Sequence, residues 1–222
     1  MKKSKVYFPY CAEMSAKPDL DILLDSLSRW SDRWEDSFSA HGKSLTSTNG
    51  ELAKATIGNI EHISLTGPKE EAADESNVEI YKSSSYRQIM RWEGAASEKN
   101  WGEPRDFFLD SPLHKHIQEL FKEKPIRLRL SKMKPGFELP AHIDYGTQYA
   151  IRFIIPIKGN EGVINKFHVK DKTYSYEMEN GKCYFLNIGY KHSVSHQGSN
   201  DRYYLIGSLD GQEDVKNLCK QL

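Results

Sequence analysis

Between Pro125 and Leu209 the chain is divided into eight short runs rich in β-branched and aromatic residues, and this division restricts the fold more than any other feature. The runs are Ile126–Met133, Phe137–Ile143, Gln148–Ile157, Gly162–Val169, Thr173–Met178, Lys182–Leu186, Tyr190–His196 and Arg202–Leu209. Pro135-Gly136, Gly146, Gly159-Asn160, Glu179-Asn180-Gly181 and Gly198 through Asn200 separate them with turn-forming residues. Short strands at this spacing predict a sandwich, barrel or jelly roll. The sequence contains no internal repeat.

Upstream, Leu20, Leu23, Leu24, Leu27, Trp30 and Trp34 recur at three- and four-residue steps, which predicts an amphipathic helix from Asp19 to Phe38. A second helix is expected from Ser111 to Lys124. Ser111 can cap it, Pro112 suits its first turn, Leu113, Ile117, Leu120 and Phe121 form its apolar stripe, and Pro125 ends it. Between His41 and Lys99 the periodic signal fades, and Thr66 through Asn77 reads as an exposed loop. Trp92 and Trp101 read as core packing rather than as the lining of a pocket.

Composition narrows the partners. The 222 residues carry 31 Lys+Arg and 31 Asp+Glu, so there is no net field to hold a phosphate backbone. Nucleic acid is therefore not expected as a partner, whereas a small molecule or peptide is. The mean hydropathy is low, −0.68, but 12 Tyr, 9 Phe and 4 Trp supply the bulky apolar surface of a folded core. Three cysteines, Cys11, Cys183 and Cys219, with no C-x-x-C pair fit neither a disulfide framework nor a zinc site, and point to a reducing compartment. The basic start Met-Lys-Lys-Ser-Lys runs into Pro9 without an apolar stretch, and no run is long enough to span a bilayer. A cytoplasmic location without a membrane partner is expected.

The chemistry begins at His142-Ile-Asp144, a triplet that a chain of this composition produces by chance and that gains weight only from its neighbours. On a strand, residues two apart project to one side, as two ligands of one metal must. A third ligand is available from His192 or His196, which share a face of the Tyr190–His196 run. Two imidazoles and one carboxylate suit Fe(II) and leave coordination positions open. Arg152 interrupts the apolar run Tyr149–Ile157, and Arg202 opens the apolar Tyr203-Tyr-Leu-Ile206. Burying a guanidinium is costly without an anion, so each arginine needs a carboxylate, from an acid such as Glu138 or Asp201 or from a ligand.

Six elements in order resemble one known pattern. Ser131-Lys-Met-Lys-Pro135-Gly136 is similar to a Ser-x-x-x-Pro-Gly turn, and His142 follows Pro135 by seven residues. Arg152-Phe-Ile-Ile-Pro156 is similar to an Arg-x-His-x-Pro strand, Gly181 through Asn187 to the segment before a distal histidine, and His192-Ser-Val194 to its His-x-Val. Arg202 stands ten residues beyond His192. Over Ile126 to Asp210 the chain resembles the Fe(II)- and 2-oxoglutarate-dependent oxygenases, most closely the aspartyl/asparaginyl β-hydroxylase family.

The resemblance implies a mainly β protein with N-terminal helices around a double-stranded β-helix, a jelly-roll, cupin-like core. Residues 126–210 would form that core, 1–125 a helical and loop elaboration packed on it, and 211–222 a tail. It implies His142, Asp144 and His192, rather than His196, as iron ligands. Arg202, assisted by Ser131, would hold the 5-carboxylate of 2-oxoglutarate, and Arg152 a carboxylate of cosubstrate or substrate. With Fe(II), 2-oxoglutarate and O2, the implied reaction hydroxylates an unactivated C–H of an Asp/Asn-like amino acid or peptidyl residue, releasing succinate and CO2. Ile154 departs from the family by replacing a histidine, and His196 stands where Asn is frequent. Asp144, which related halogenases lack, favours hydroxylation. A cupin-like metalloenzyme that does not use 2-oxoglutarate and a non-catalytic jelly-roll binding module are the competing readings.

Overall fold

The computed structural model describes residues 6–36, 58–67 and 98–221. The chain begins with β1 (Val6–Tyr7), β2 (Cys11–Glu13) and α1 (Leu20–Arg29), followed by β3 (Glu35–Asp36), β4 (Ile60–Ser64) and β5 (Thr66–Gly67). After a 3-10 turn come β6 (Glu103–Pro104), α2 (Asp106–Leu109) and α3 (Pro112–Leu120). The eight runs beyond Pro125 are all strands: β7 (Pro125–Met133), β8 (Glu138–His142), β9 (Ile151–Lys158), β10 (Val163–Val169), β11 (Lys172–Tyr176), β12 (Tyr184–Leu186), β13 (Lys191–His196) and β14 (Arg202–Leu209). A second 3-10 segment (Glu213–Leu218) leads into β15 (Lys220–Gln221).

Two antiparallel sheets face each other as a jelly roll. One has seven strands in the order β2-β12-β9-β14-β7-β4-β3, the other four in the order β11-β10-β13-β8. Alternation along β7, β9 and β14 separates two apolar clusters. Phe153, Ile155 and Ile157 of β9, Leu205 and Leu209 of β14, and Leu128 and Leu130 of β7 pack against Leu23 and Leu27 of α1 and Leu113 and Ile117 of α3. Ile154, Tyr204 and Met133, one residue out of phase, meet Phe167 of β10 between the sheets. Arg152, Arg202 and Ser131 share the phase of that second cluster and so belong to the interior.

A bulge fixes this phase on β7. Arg127 has φ 49°, and the β7–β14 register shifts there, with Ser208 opposite Ile126 and Ile206 opposite Arg129. The extra residue sets Ser131 inward and Leu130 under the helices. Gly159, with φ 71°, lets the β9–β10 turn lie against the residue before Arg202, for a Cβ there would meet the Asp201 carbonyl oxygen at 2.1 Å.

Three expectations are corrected. The first helix ends at Arg29 instead of continuing to Phe38; its start does follow Asp19, whose carboxylate accepts from the Asp21 and Ile22 N–H groups. Glu35 instead pairs with His62, and strand pairing takes the chain out of the helix. Phe38 lies outside the described residues. The second helix closes at Leu120, with Phe121 extended, because the Asp214 carboxylate accepts from the Lys122 and Glu123 N–H groups. Thr66 and Gly67 are buried strand residues, not exposed loop, and the Thr66 hydroxyl accepts from the Leu128 N–H at 2.8 Å; residues 68–77 lie outside the described residues. Trp101 is buried in keeping with packing, and Trp92 lies outside the described residues. The three cysteines are free thiols, and none of the described helices is long and apolar enough to cross a membrane.

Candidate metal centre

β8 and β13 are neighbours in the four-stranded sheet, and His142 lies directly opposite His192 in their register. Their ring centroids are 4.3 Å apart. Asp144 follows the end of β8 in coil rather than on the strand, and its N–H donates to the Ile188 carbonyl at 3.0 Å. That bond turns its carboxylate between the rings: Asp144 Oδ2 is 3.7 Å from His142 Nε2 and 3.9 Å from His192 Nε2. Among the described residues, one ligand atom from each of these three side chains falls within 4.8 Å of the others.

Both imidazoles have their tautomer set by their own strands. His142 Nδ1 donates to the Pro140 carbonyl at 2.8 Å, and His192 Nδ1 to the Tyr190 carbonyl at 2.9 Å. A carbonyl two residues upstream thus takes the Nδ1 proton and leaves each Nε2 lone pair facing Asp144, as a metal-binding histidine requires. Burial, reinforced by the nearby His142, pushes the His192 pKa down to about 4, so this ring is neutral at physiological pH. Two Nε2 atoms and one carboxylate can occupy one face of an octahedral ion such as Fe(II).

His196 takes no part in this group. Its Nδ1 accepts from the Gly198 N–H at 3.3 Å and its Nε2 donates to the Asn200 carbonyl at 2.8 Å, so the ring braces the turn before β14. His196→Ala is expected to keep metal affinity within about twofold while removing buried hydrogen bonds worth about 1–3 kcal/mol. Thermal denaturation beside an anaerobic metal titration measures both, and a tenfold loss of metal affinity would move the ligand to His196.

The interior is rich in donors. Arg202 is 1% exposed, and its Nε and Nη2 have no hydrogen-bond partner. Burial lowers its pKa to about 10, so it remains a cation at neutral pH. Its guanidinium carbon lies 4.4 Å from the centroid of the Tyr204 ring. Ser131, fully buried, faces Tyr204 across β7 and β14. Arg152 is attached near the opposite end of β14, across from Ser208, with its guanidinium 5.4 Å from the centroid of the Tyr145 ring. Its charge reaches His192 and contributes to that histidine's lowered pKa. Ile154 packs in the apolar interior cluster and brings no donor.

Two interior residues were not found by sequence reasoning. Asn165 of β10 is buried with its Nδ2 unpartnered, and His62 of β4 has Nδ1 2.8 Å from Ser131 Oγ. Asn165 alternates with Val163 and Phe167, a pattern that marks it as inward-facing; His62 has no comparable signal.

A jelly roll with two histidines and a carboxylate converging on one point defines the class, a cupin-type fold with a group of side chains that could hold a metal ion. The profile of the Aspartyl/Asparaginyl beta-hydroxylase family matches residues 72–210. The chain belongs to that family of oxidoreductases. No curated protein matches it in sequence. Among solved structures it is similar to a Pseudomonas putida prolyl-4-hydroxylase, with TM-score 0.46 and 11% identity over 91% of this chain and 92% of that one. It is also similar to an oxidoreductase of the 2OG-Fe(II) oxygenase family from Burkholderia pseudomallei, with TM-score 0.39 and 11% identity over 68% of this chain and 69% of that one. A cupin domain from Bordetella pertussis gives TM-score 0.30 and 11% identity over 40% of this chain and 85% of that one.

Proposed function

We propose that the protein is an Fe(II)- and 2-oxoglutarate-dependent dioxygenase that hydroxylates an unactivated C–H of an amino acid or peptidyl residue, Asp/Asn-like in kind, with release of succinate and CO2. The observation that carries this reading is the pairing of a His142, Asp144, His192 group with a buried guanidinium, Arg202, whose Nε and Nη2 lack partners. A cupin metalloenzyme acting without a dicarboxylic cosubstrate has no need of such an arginine. Residues 126–210 are the proposed catalytic core.

In this reading His142, Asp144 and His192 hold iron, which when bound supplies the oxygen activation and the oxidative decarboxylation of the 2-oxo acid. Arg202 and Ser131 hold the distal carboxylate, where a planar guanidinium can bond both oxygens. Arg152, electrostatically coupled to His192, holds a carboxylate of cosubstrate or substrate nearer the metal. The apolar interior, with Ile154, Met133 and Phe167, limits water around the reacting carbon.

The test is anaerobic addition of Fe(II) and 2-oxoglutarate, which is expected to give a visible charge-transfer band. A screen of amino acids and short peptides for iron-dependent succinate release then identifies the substrate. A protein that binds iron but does not respond to 2-oxoglutarate would be the cupin-like metalloenzyme instead.

A further inference from the structure

The Ser131 hydroxyl has a partner that bears on how it can meet an anion. His62 on β4 faces Ser131 on β7 directly in register, and His62 Nδ1 lies 2.8 Å from Ser131 Oγ. Ser131 in turn faces Tyr204 on β14, over which the Arg202 guanidinium sits. His62, Ser131 and Tyr204 therefore form one row across three strands, and Arg202 closes its end.

A serine hydroxyl has one proton, and a carboxylate can only accept. The Ser131 proton thus has two competing destinations, His62 Nδ1 and an anion beside Arg202. It can go to the anion only when His62 Nδ1 carries its own proton and donates to Oγ. On the reading that Arg202 and Ser131 grip the distal carboxylate of 2-oxoglutarate, we propose that His62 is a positioning residue for the cosubstrate. Its Nδ1–H, given to Ser131 Oγ, turns the serine proton toward the carboxylate. His62 itself does not touch the anion. Selection of 2-oxo acids bearing a second carboxylate then depends on a strand that lies before the motif-bearing segment.

The experiment is calorimetric titration of the full chain under nitrogen, with Mn(II) in place of iron. The two probes are 2-oxoglutarate and 2-oxobutyrate, which lacks the distal carboxylate. His62→Leu is expected to weaken 2-oxoglutarate about five- to tenfold, the effect of losing a hydrogen bond to a charged group in part, and to leave 2-oxobutyrate unchanged. His62→Asn, whose amide can donate from near the Nδ1 position, is expected to restore 2-oxoglutarate binding to within about twofold. Adding His62→Leu to Ser131→Ala is expected to cost nothing further, because the two act as one unit. An equal loss for both acids, additive losses in the double variant, or no loss in His62→Leu would each overturn the proposal. If Arg202→Ala also kept its 2-oxoglutarate affinity, the reading of the carboxylate subsite would itself have failed.

Discussion

His192→Ala is expected to cost the protein its metal, lowering Fe(II) affinity by more than about 100-fold and abolishing the charge-transfer band. Losing only a hydrogen-bond partner of a metal-bound histidine costs about 10–100-fold, so losing the ligand exceeds that. The ring arrives with its Nδ1 committed to the Tyr190 carbonyl and its pKa lowered to about 4, so ion binding requires neither a tautomer change nor loss of a proton at neutral pH. His142→Ala is expected to behave alike, since the Pro140 carbonyl fixes its ring in the same way. Asp144→Ala, which removes the one carboxylate between the rings, is expected to weaken iron and end turnover. Anaerobic equilibrium dialysis, with circular dichroism to confirm the fold, measures these effects. A band that persists in His192→Ala would break the ligand assignment.

How much of this was legible depended on what each strand faces. The eight strands after Pro125 are short β-rich runs with turn residues at each end, so pattern alone found them all. β4 escaped notice because its inward positions include the polar His62 and Ser64 alongside Ile60. Its apolar residues Ile60, Ile63 and Leu65 then lose the period of two on which strand recognition rests. β2 and β3 have three and two residues, too few to carry any period. They are set by pairing with distant strands, Cys11 with Leu186 and Glu35 with His62. The predicted overrun of the first helix has a similar origin. Trp34 keeps helical spacing from Trp30, yet it lies in coil just before β3 and its ring centroid is 5.8 Å from that of Tyr203.

At the site, the periodicity that placed His192 and His196 on one face could not choose between them. The structure separates them by what the chain does next. β13 carries His192 opposite β8, while His196, four residues on, meets the turn that leads into β14. The carboxylate was legible as a residue but not as a geometry, since Asp144 reaches the histidines from coil held by the Ile188 carbonyl. Asn165 was legible as inward-facing from its alternation with Val163 and Phe167, whereas His62 was not legible. A polar residue that follows no apolar pattern is found only when both sheets are in place.

Arg202→Met is expected to move two measurements in opposite directions. The lowered pKa of Arg202, about 10, means that the folded chain holds this proton less firmly than the unfolded chain does. The cost to stability is therefore present at every pH below that value and falls only as pH rises through it. Replacing a buried cation whose Nε and Nη2 lack hydrogen-bond partners with an apolar side chain of similar length removes the cost, less the contact with the Tyr204 ring. By comparison with buried ionic groups elsewhere, the gain is about 1–4 kcal/mol, or a rise in Tm of roughly 3–10 °C without ligand. The same change removes both donors that a bidentate carboxylate would use, and 2-oxoglutarate affinity is expected to fall by at least about 100-fold. Wild-type protein should then gain Tm as 2-oxoglutarate is added, while the variant should start higher and stay flat. Scanning calorimetry with and without the acid, with Mn(II) present throughout, measures both. A variant that melted lower than wild type and still rose with 2-oxoglutarate would show that Arg202 is a structural cation with a partner of its own, and that the dicarboxylic acid is held elsewhere.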